Sequence, residues 1–266
     1  MSETEEVINS GKRRLKMVIA IVVTVVVVLA VALWIFCREL SSGSEPPRKE
    51  ITVDFPAYPI QGIDVSAHNG EIDFEQVARS GISFVYVKAS EGANYRDRRF
   101  VENVTRAHQA GLKVGAYHFF RKDVEGDKQA INFIRAARAV HLDLPYVIDI
   151  EDWENSVFVR NSTVKENLRE MIAQLRHVNF DVMIYTNKSG YNDYIMDDFA
   201  DMPLWLCTFT HPDSIDSQIN WHLHQYSHWG NVAGVDGDVD LDVFCGDSLQ
   251  WEQWVATGGY PAKLAQ

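Results

Sequence analysis

The sequence predicts an α/β protein: an irregular TIM-like β/α barrel of about eight strands, preceded by one transmembrane helix. Three observations support this prediction. An uncharged apolar run lies near the N-terminus, strand-like apolar runs alternate with helical segments over the rest of the chain, and carboxylates stand near the ends of several of those runs. With 266 residues the chain is long enough to bury the core of one large domain.

The transmembrane helix is predicted over residues 17–37. This run is uncharged and consists mainly of Val, Ile, Leu and Ala, and at about 1.5 Å per residue it matches a hydrocarbon core of about 30 Å. A cleaved signal peptide is the alternative. Its apolar region would be shorter and would end in small residues, whereas Trp34 and Phe36 are bulky.

The residues that flank this run predict its orientation. Basic residues crowd the N-terminal side between Lys12 and Lys16, and those on the other side are spread out. Because basic loops stay in the cytoplasm, we expect residues 1–16 to form the cytoplasmic tail of a single-pass cell-membrane protein. Residues 38–59 are rich in Pro and Ser and predict a stalk, which leaves residues 60–266 for the extracellular barrel.

Eight apolar runs predict the strands of the barrel, and apolar residues at intervals of three and four predict helices between the early ones. The predicted strands are 62–65, 83–89, 113–119, 146–150, 182–186, 204–208, 222–226 and 239–244, and the predicted helices are 74–80, 98–110, 127–141 and 163–178. This alternation implies a parallel sheet, and the last connections lack a helical pattern, so the barrel is expected to be irregular near its end. An open doubly wound sheet is the alternative, but no Gly-rich phosphate loop follows any strand.

Composition excludes several classes of function. The chain has 25 Lys and Arg against 37 Asp and Glu, a formal net charge of −12. Because proteins that bind nucleic acids need positive charge to contact the phosphate backbone, we expect no nucleic-acid partner. The three cysteines, Cys37, Cys207 and Cys245, form no pair at metal-ligand spacing, so we expect no metal site. Cys207 and Cys245 either form one disulfide or remain two free thiols.

Carboxylates stand where the strands of a barrel would end. The acidic residues in these runs or directly beside them are Asp64 in the first, Asp149 and Glu151 at the fourth, and Asp238, Asp240 and Asp242 at the last. Function in a β/α barrel lies at the C-terminal ends of its strands. A carboxylate inside an apolar strand costs several kcal/mol unless it is paired or lines a wet site. The sequence therefore predicts an acidic site at this end, and strand-end caps paired with basic residues are the alternative.

Asp149 and Glu151 are the most informative pair. Two residues apart on one strand, they are expected to point to the same face, about 6.6 Å apart along the backbone. Neighbouring carboxylates raise the pKa of one of them, so that one carboxyl keeps its proton near neutral pH. This arrangement predicts a general acid.

Eight short phrases follow one another over residues 60–245, one at each predicted strand. They are GIDVSAHNG, VYVKASEG, GAYHFF, YVIDIE, IYTN, PLWL, HQYS and VDLDVF. As an ordered set they resemble glycoside hydrolase family 25, the Chalaropsis-type lysozymes or N-acetylmuramidases. The resemblance implies an enzyme without a cofactor whose partner is the glycan strand of peptidoglycan. Such an enzyme cuts the β-1,4 bond between N-acetylmuramic acid and N-acetylglucosamine.

The resemblance also implies roles for individual residues. The family's acid corresponds to Glu151 and its partner acid to Asp149, while Asp64 and a late aspartate, Asp240 or else Asp236, complete the acidic pocket. The residues expected to contact substrate, by stacking on sugar rings or through polar groups, are Tyr117, Tyr185, Trp205, Gln225, Tyr226, Trp229, Lys88 and Glu91. Lys88 and Glu91 could instead simply pair with each other.

The chain departs from the family's pattern at two positions. The family often has a small residue where Cys207 stands and often has asparagine where Asp242 stands. Neither departure touches Asp149 or Glu151.

Geometry favours a substrate-assisted mechanism. A retaining enzyme with a direct nucleophile needs two carboxyls on opposite sides of the anomeric carbon, whereas Asp149 and Glu151 issue from one strand. The 2-acetamido group of the substrate can act as nucleophile if Asp149 orients it while Glu151 protonates the leaving oxygen. Inversion, with Asp64 or Asp240 activating water, is the alternative within the enzyme class. A non-catalytic membrane-tethered glycan-binding module on the same fold is the alternative outside it.

Overall fold

The computed structural model describes residues 56–151 and 158–259, together with five helical positions, Thr24, Val26, Leu29, Val31 and Trp34. The chain forms two compact units, Met1–Lys49 and Glu50–Gln266. Within the parts of the chain that the structure describes, no helix has the length and apolar character needed to cross a membrane. Apart from those five positions, the predicted span at 17–37 lies outside the described residues, and so do the predicted tail and the stalk up to residue 55.

Eight strands close into a barrel, as the sequence predicts, and a ninth short strand extends its rim. The strands are β1 (Gln61–Val65), β2 (Ile82–Glu91), β3 (Tyr95–Arg96), β4 (Lys113–Phe119), β5 (Tyr146–Asp149), β6 (Val182–Asn187), β7 (Leu204–Cys207), β8 (Leu223–Gly230) and β9 (Val239–Phe244). Their order is β1-β9-β8-β7-β6-β5-β4-β2-β3, and a further pairing of β1 with β2 closes the barrel. The two-residue β3 pairs only with the end of β2.

The last strand corrects the prediction of a parallel sheet. β9 runs antiparallel to both of its neighbours, β1 and β8, while the other pairs around the barrel are parallel. The reason is the short connection: only residues 231–238 separate β8 from β9, and a parallel crossover needs about a dozen residues or more. As a result Asp240, near the start of β9, pairs with Asp64, near the end of β1.

The predicted helices are all present and cover the outside of the barrel. They are α1 (Phe74–Arg79), α2 (Phe100–Gln109), α3 (Gly126–Ala137) and α4 (Asn161–His177). The turns that follow α1 and α2 place Gly81 and Gly111 at φ values of 91° and 85°, which glycine adopts without steric cost. Short helical turns at Ala67–Asn69, Lys188–Gly190, Tyr191–Ile195 and Pro212–Ser214 lie in the connections.

One helix that the sequence analysis missed closes the lower end of the barrel. α5 (Ser248–Ala256) follows β9 and begins with a capping box between Asp247 and Gln250, a signal that was available in the sequence. Its Trp251 is buried, with its ring centroid 5.1 Å from that of Phe84 and 5.2 Å from that of Phe244. This helix therefore covers the end of the barrel opposite the strand ends that carry Asp149.

Aromatic rings fill the barrel interior and form the floor beneath the upper opening. The ring of Trp205 lies 4.8 Å from both Tyr86 and Tyr185, measured between centroids. The Tyr86 ring fits only because residue 115 is glycine, since a Cβ on Gly115 would stand 2.1 Å from that ring. The packed floor fixes the height at which polar side chains from the strand ends can form a site.

Candidate active site

A cavity of about 870 Å³ opens at the end of the barrel where the parallel strands finish. Most of the predicted site residues line it: Glu151, Asp149, Asp64, Asp240, Tyr117, Tyr185, Trp205, Gln225 and Lys88. The other lining residues were not predicted to contact substrate; they are Ser66, His68, Asn69, Phe119, Asn187, Lys188, Ser189, Cys207, Thr208, Phe209 and His228. Each parallel barrel strand therefore contributes at or just after its C-terminal end, as barrel topology requires.

Asp149 and Glu151 come from the end of β5. The strand ends at Asp149, so Glu151 lies just beyond it and not on the strand as predicted. Both side chains are nearly fully buried and both line the cavity. The intervening residue is held to the neighbouring strand, because the Ile150 amide donates to the Tyr185 carbonyl (2.9 Å) and the Thr186 hydroxyl donates to the Ile150 carbonyl (2.7 Å). The backbone that carries the two acids is thus fixed from one side.

Asn187 is the polar neighbour of Glu151 that the sequence analysis did not assign to the site. Its Nδ2 donates to Glu151 Oε2 at 3.5 Å, while its Oδ1 accepts from the Gly190 amide at 2.8 Å. The second contact fixes which end of the amide faces the carboxyl. A signal was present in the sequence, since Asn187 ends the strand next to the one that carries Asp149.

A chain of hydrogen bonds orients Asp64 on the other side of the cavity. The Tyr185 hydroxyl donates to Gln225 Oε1 (2.9 Å), and Gln225 Nε2 donates to Asp64 Oδ2 (2.7 Å). Burial raises the pKa of Asp64 well above its usual range, and the carboxyls of Asp240 and Asp242 raise it further, against the opposing effect of the Gln225 hydrogen bond. Asp64 therefore holds a proton more tightly than an exposed aspartate does.

Two carboxyls of β9 crowd against Asp64. Burial raises the pKa of Asp240 to about 6. Asp242 lies deeper and is fully buried, and its Oδ1 accepts a hydrogen bond from Trp205 Nε1 at 2.9 Å. Its pKa is raised well above the usual range by burial and by Asp240. Asp236, the second candidate for the late acid, is exposed in the β8–β9 connection and does not line the cavity.

Comparison with known proteins assigns the family. A family model described as glycosyl hydrolases family 25 matches residues 63–235, more than half of the chain. The chain belongs to glycosyl hydrolases family 25. The resemblance seen in the sequence phrases is thereby confirmed, and this protein is a glycoside hydrolase.

Relatives and a solved structure agree with the family 25 assignment. The chain is 35% identical over 204 residues to Lysozyme M1 of Streptomyces globisporus, covering 72% of this chain and 69% of that protein. It is 32% identical over 189 residues to the autolytic lysozyme of Clostridium acetobutylicum, covering 70% of this chain and 56% of that protein, so it spans little more than half of that relative's length. A family 25 glycosyl hydrolase structure from Bacillus anthracis matches with a TM-score of 0.71 at 30% identity, over 79% of this chain and 99% of that one.

The family 25 barrel leaves three predicted substrate contacts outside the cavity: Tyr226, Glu91 and Trp229, the last of which is exposed. Tyr226 follows Gln225 on β8, so the two side chains face opposite sides of the strand. Gln225 points into the cavity, whereas the Tyr226 hydroxyl donates to Gln61 Oε1 (3.3 Å) and its buried ring packs on Val243. Tyr226 therefore does not line the cavity, and its contact with substrate stays a prediction.

Glu91 acts on the cavity only through Lys88. The Lys88 ammonium lies 2.8 Å from Glu91 Oε2, and Arg121 Nη1 lies 3.6 Å from Glu91 Oε1. Glu91 does not line the cavity, because its carboxylate turns toward these two cations. Of the two predicted roles for Glu91, substrate contact and pairing with Lys88, the structure shows the pairing. Lys88 itself lies at the cavity wall, with its ammonium 4.9 Å from the centre of the Phe119 ring.

The late cysteines of this family 25 chain are free thiols. Cys207 is buried at the cavity wall and Cys245 is partly buried, and neither is in a disulfide. Of the two alternatives, the disulfide is wrong. Burial raises the pKa of Cys245 to about 12, and burial likewise raises that of Cys207, so both stay protonated thiols near neutral pH. Within residues 56–151 and 158–259, no group of three or more His, Cys, Asp or Glu side chains is placed to hold a metal ion.

The crowded carboxyls predict how stability changes with pH. An acid whose pKa is raised in the folded state contributes stability at low pH, and that contribution is lost as the pH rises through the folded-state pKa. Asp242→Asn removes one such acid and keeps an oxygen to accept from Trp205. We expect its Tm to exceed that of the wild type at pH 8 by about 2–4 °C, the shift for about 1 kcal/mol in a domain of this size, and by less at pH 4.

Thermal melts by circular dichroism between pH 4 and pH 8 measure this difference. Asp198→Asn is the matched control, because a hydrogen bond with Lys165 lowers the pKa of Asp198 and the group lies at the surface. That control should show no gain in Tm at pH 8. A gain for Asp242→Asn that is the same at both ends of the pH range would contradict the electrostatic explanation.

Proposed function

We propose that this family 25 enzyme is an N-acetylmuramidase, which hydrolyses the β-1,4 bond between N-acetylmuramic acid and N-acetylglucosamine in peptidoglycan. The observation that carries the proposal is the pair of buried carboxyls, Asp149 and Glu151, at one wall of an open cavity with Asp64 and Asp240 among its other lining residues. Two relatives that carry the name lysozyme support the substrate class. The cavity size also fits, since cavities of about 300–1,000 Å³ hold small organic ligands.

Glu151 is the proposed general acid. It donates its proton to the glycosidic oxygen as the bond to the anomeric carbon breaks, which prevents a charged alkoxide from leaving. Asn187 holds the carboxyl in place from the neighbouring strand end. After the leaving sugar departs, the Glu151 carboxylate takes a proton from the water that attacks the anomeric carbon.

Asp149 is proposed to act on the substrate's 2-acetamido group. Both acids come from the end of β5, so they approach the sugar from one strand and cannot flank the anomeric carbon as a direct nucleophile and acid would. In the substrate-assisted route the acetamido oxygen bonds to the anomeric carbon as the glycosidic bond breaks. The Asp149 carboxylate orients the amide and stabilises the positive charge that develops on it.

Purified peptidoglycan and the purified protein provide the test. Loss of turbidity, together with new reducing ends on N-acetylmuramic acid, is expected for this activity. The configuration of the first-formed product, read by NMR, separates retention from inversion by Asp64 or Asp240. Binding to peptidoglycan without any new reducing ends would overturn the proposal and favour a glycan-binding module on the same barrel.

We also propose that residues 17–37 anchor the enzyme in the cell membrane, with the N-terminus in the cytoplasm and the barrel outside. The uncharged run and the basic residues from Lys12 to Lys16 support this topology. Protease added to spheroplasts should convert the 30.3 kDa chain into a fragment of about 25 kDa, because the stalk would be exposed. A cytoplasmic marker protein should stay intact in the same sample. Full protection of the chain would contradict this orientation.

A further inference from the structure

An exposed lysine at the wall of the cavity has no role in the chemistry above. Lys188 lines the cavity, and in the parts of the chain that the structure describes it forms no ion pair. Lys88, which also lines the cavity, differs in both respects: its side chain is 14% exposed and its ammonium lies 2.8 Å from Glu91 Oε2. The charge of Lys188 is therefore available to a ligand.

The backbone that carries Lys188 is fixed close to the proposed general acid. Lys188 begins the turn after β6, and Asn187 Oδ1 closes that turn by accepting from the Gly190 amide at 2.8 Å. The turn packs tightly, since a Cβ on Gly190 would stand 2.3 Å from Thr186 Oγ1. Asn187 also donates to Glu151 Oε2 at 3.5 Å. Lys188 thus directly follows the residue that contacts the acid.

An aromatic ring restricts the position of the Lys188 ammonium. Its Nζ lies 5.5 Å from the centre of the ring of Tyr191, which is buried. The face of a ring attracts a cation, and the aliphatic part of a lysine side chain packs on apolar surface. Contact with a neutral ring does not cancel the positive charge, so the ammonium can still bind an anion.

Much of the cavity wall is acidic. The carboxyls that line it are those of Asp64, Asp149, Glu151 and Asp240. Ionised carboxyls repel an anionic ligand and ammonium groups attract it, so the lysines determine where such a ligand can lie. The charge of Lys88 is already paired with Glu91. Lys188 is therefore the stronger attraction for an anion in this cavity.

The substrate class of the proposed function carries a matching anion. Each N-acetylmuramic acid has a lactyl group, whose carboxyl is either free or joined to a peptide stem that has carboxylates of its own. N-acetylglucosamine has no such substituent. A site that binds a polar group of its substrate discriminates against an analogue that lacks the group. A cation close to the proposed acid can therefore recognise the substituted sugar.

We propose that Lys188 is a specificity-determining residue, whose ammonium binds a carboxylate of the lactyl group or peptide stem on N-acetylmuramic acid. The proposal rests on the proposed function for its substrate class and adds recognition of the substituent to recognition of the sugar chain. An exposed ion pair strengthens binding modestly, and salt screens it. The contact favours strands that carry the anion over neutral strands.

Three preparations of glycan strands of equal length test this with the full-length protein in detergent. They are strands with peptide stems, stripped strands with free lactyl carboxylates, and stripped strands whose carboxyls are converted to neutral methylamides. Lys188→Gln should lower kcat/KM on anionic strands by about 2- to 5-fold, the range for an exposed ion pair, and leave the neutral strands unchanged. Loss on stripped strands identifies the lactyl carboxylate as the ligand, and loss confined to stem-bearing strands identifies the stem.

Variants of opposite charge and a remote control sharpen the test. Lys188→Arg keeps the charge and should retain most of the wild-type rate. Lys188→Glu reverses the charge and should cost more than Lys188→Gln on the same strands, and high salt should reduce both losses. Lys113→Gln makes the neutralising change at the start of β4, at the opposite end of the barrel and outside the cavity. It should change none of these rates.

The outcomes separate this proposal from the proposed function. Equal losses on anionic and neutral strands would overturn it, because an effect on the Glu151 proton changes every substrate alike, and so would the absence of any loss. Binding to Glu151→Gln, compared by calorimetry with Glu151→Gln/Lys188→Gln, is independent of cleavage. If the wild type cuts no strand but the lysine change weakens binding of anionic strands alone, the contact stands and the hydrolase proposal fails. If both variants bind anionic strands equally, the contact fails whatever the activity.

Discussion

Glu151→Gln is expected to reduce peptidoglycan hydrolysis by a factor of about 10² to 10⁴, the usual contribution of a general acid. Glutamine keeps the shape of the side chain and an oxygen that can accept from Asn187, as Glu151 Oε2 does at 3.5 Å, but it has no proton to transfer. Release of reducing ends from purified peptidoglycan measures the rate. Co-sedimentation with the same material measures binding, which should survive.

Glu252→Gln makes the same chemical change on an exposed position of α5, at the opposite end of the barrel, and should leave the rate unchanged. Equal circular dichroism spectra of the two variants would show that the barrel is folded in both. Near wild-type hydrolysis by a folded Glu151→Gln would remove Glu151 from the mechanism. The acid would then be sought at Asp240, the late aspartate that lines the cavity.

Asp149→Asn should also be severe, with a loss of about 10² or more, because a neutral amide cannot stabilise the positive charge that develops as the acetamido oxygen attacks. The side chain is nearly fully buried, so water cannot take over this role. The measured quantities are kcat on glycan strands and the configuration of the first product. Asp64→Asn, whose carboxyl is bound by Gln225, should be damaging to a smaller degree, so the expected order is Glu151, then Asp149, then Asp64.

Added azide distinguishes the two possible roles of Asp149. A substrate-assisted enzyme keeps its nucleophile on the substrate, so azide should not restore the activity of Asp149→Asn. Rescue by azide, with a glycosyl product of inverted configuration, would mean that Asp149 is itself the nucleophile. That result would leave the hydrolase class intact and replace the substrate-assisted mechanism.

The amino-acid sequence was sufficient for the eight strands that close the barrel, the helices between the early ones and the acids at their ends. Each strand is a short apolar run bounded by polar or glycine residues, and helices with periodic apolar faces separate the early ones, so local pattern alone implies a β/α barrel. The acids were visible for the same reason. A carboxylate such as Asp149 at the end of an apolar strand is a charged group among apolar residues, and such a local conflict is typical of a functional site.

The sequence pattern could not predict which residues far apart in the chain contact each other. The side of β8 that faces the cavity depends on the phase of its alternation, and the pairing of β8 with β9 shifts register between Gln225 and Ser227. Sequence alone could not decide that Gln225 points inward and Tyr226 outward. The same holds for Asn187, which matters because an adjacent strand brings its amide to Glu151.

The sequence by itself thus determined the barrel, the family and the acids of β5, since these follow from local apolar periodicity and from contiguous phrases. Only the tertiary structure decided the direction of β9, the pairing of Asp240 with Asp64, and the free state of Cys207 and Cys245. Those features depend on which strands become neighbours when the sheet closes. Closure is a property of the whole sheet, set by twist, register and connection length together, and no single segment of the chain carries it.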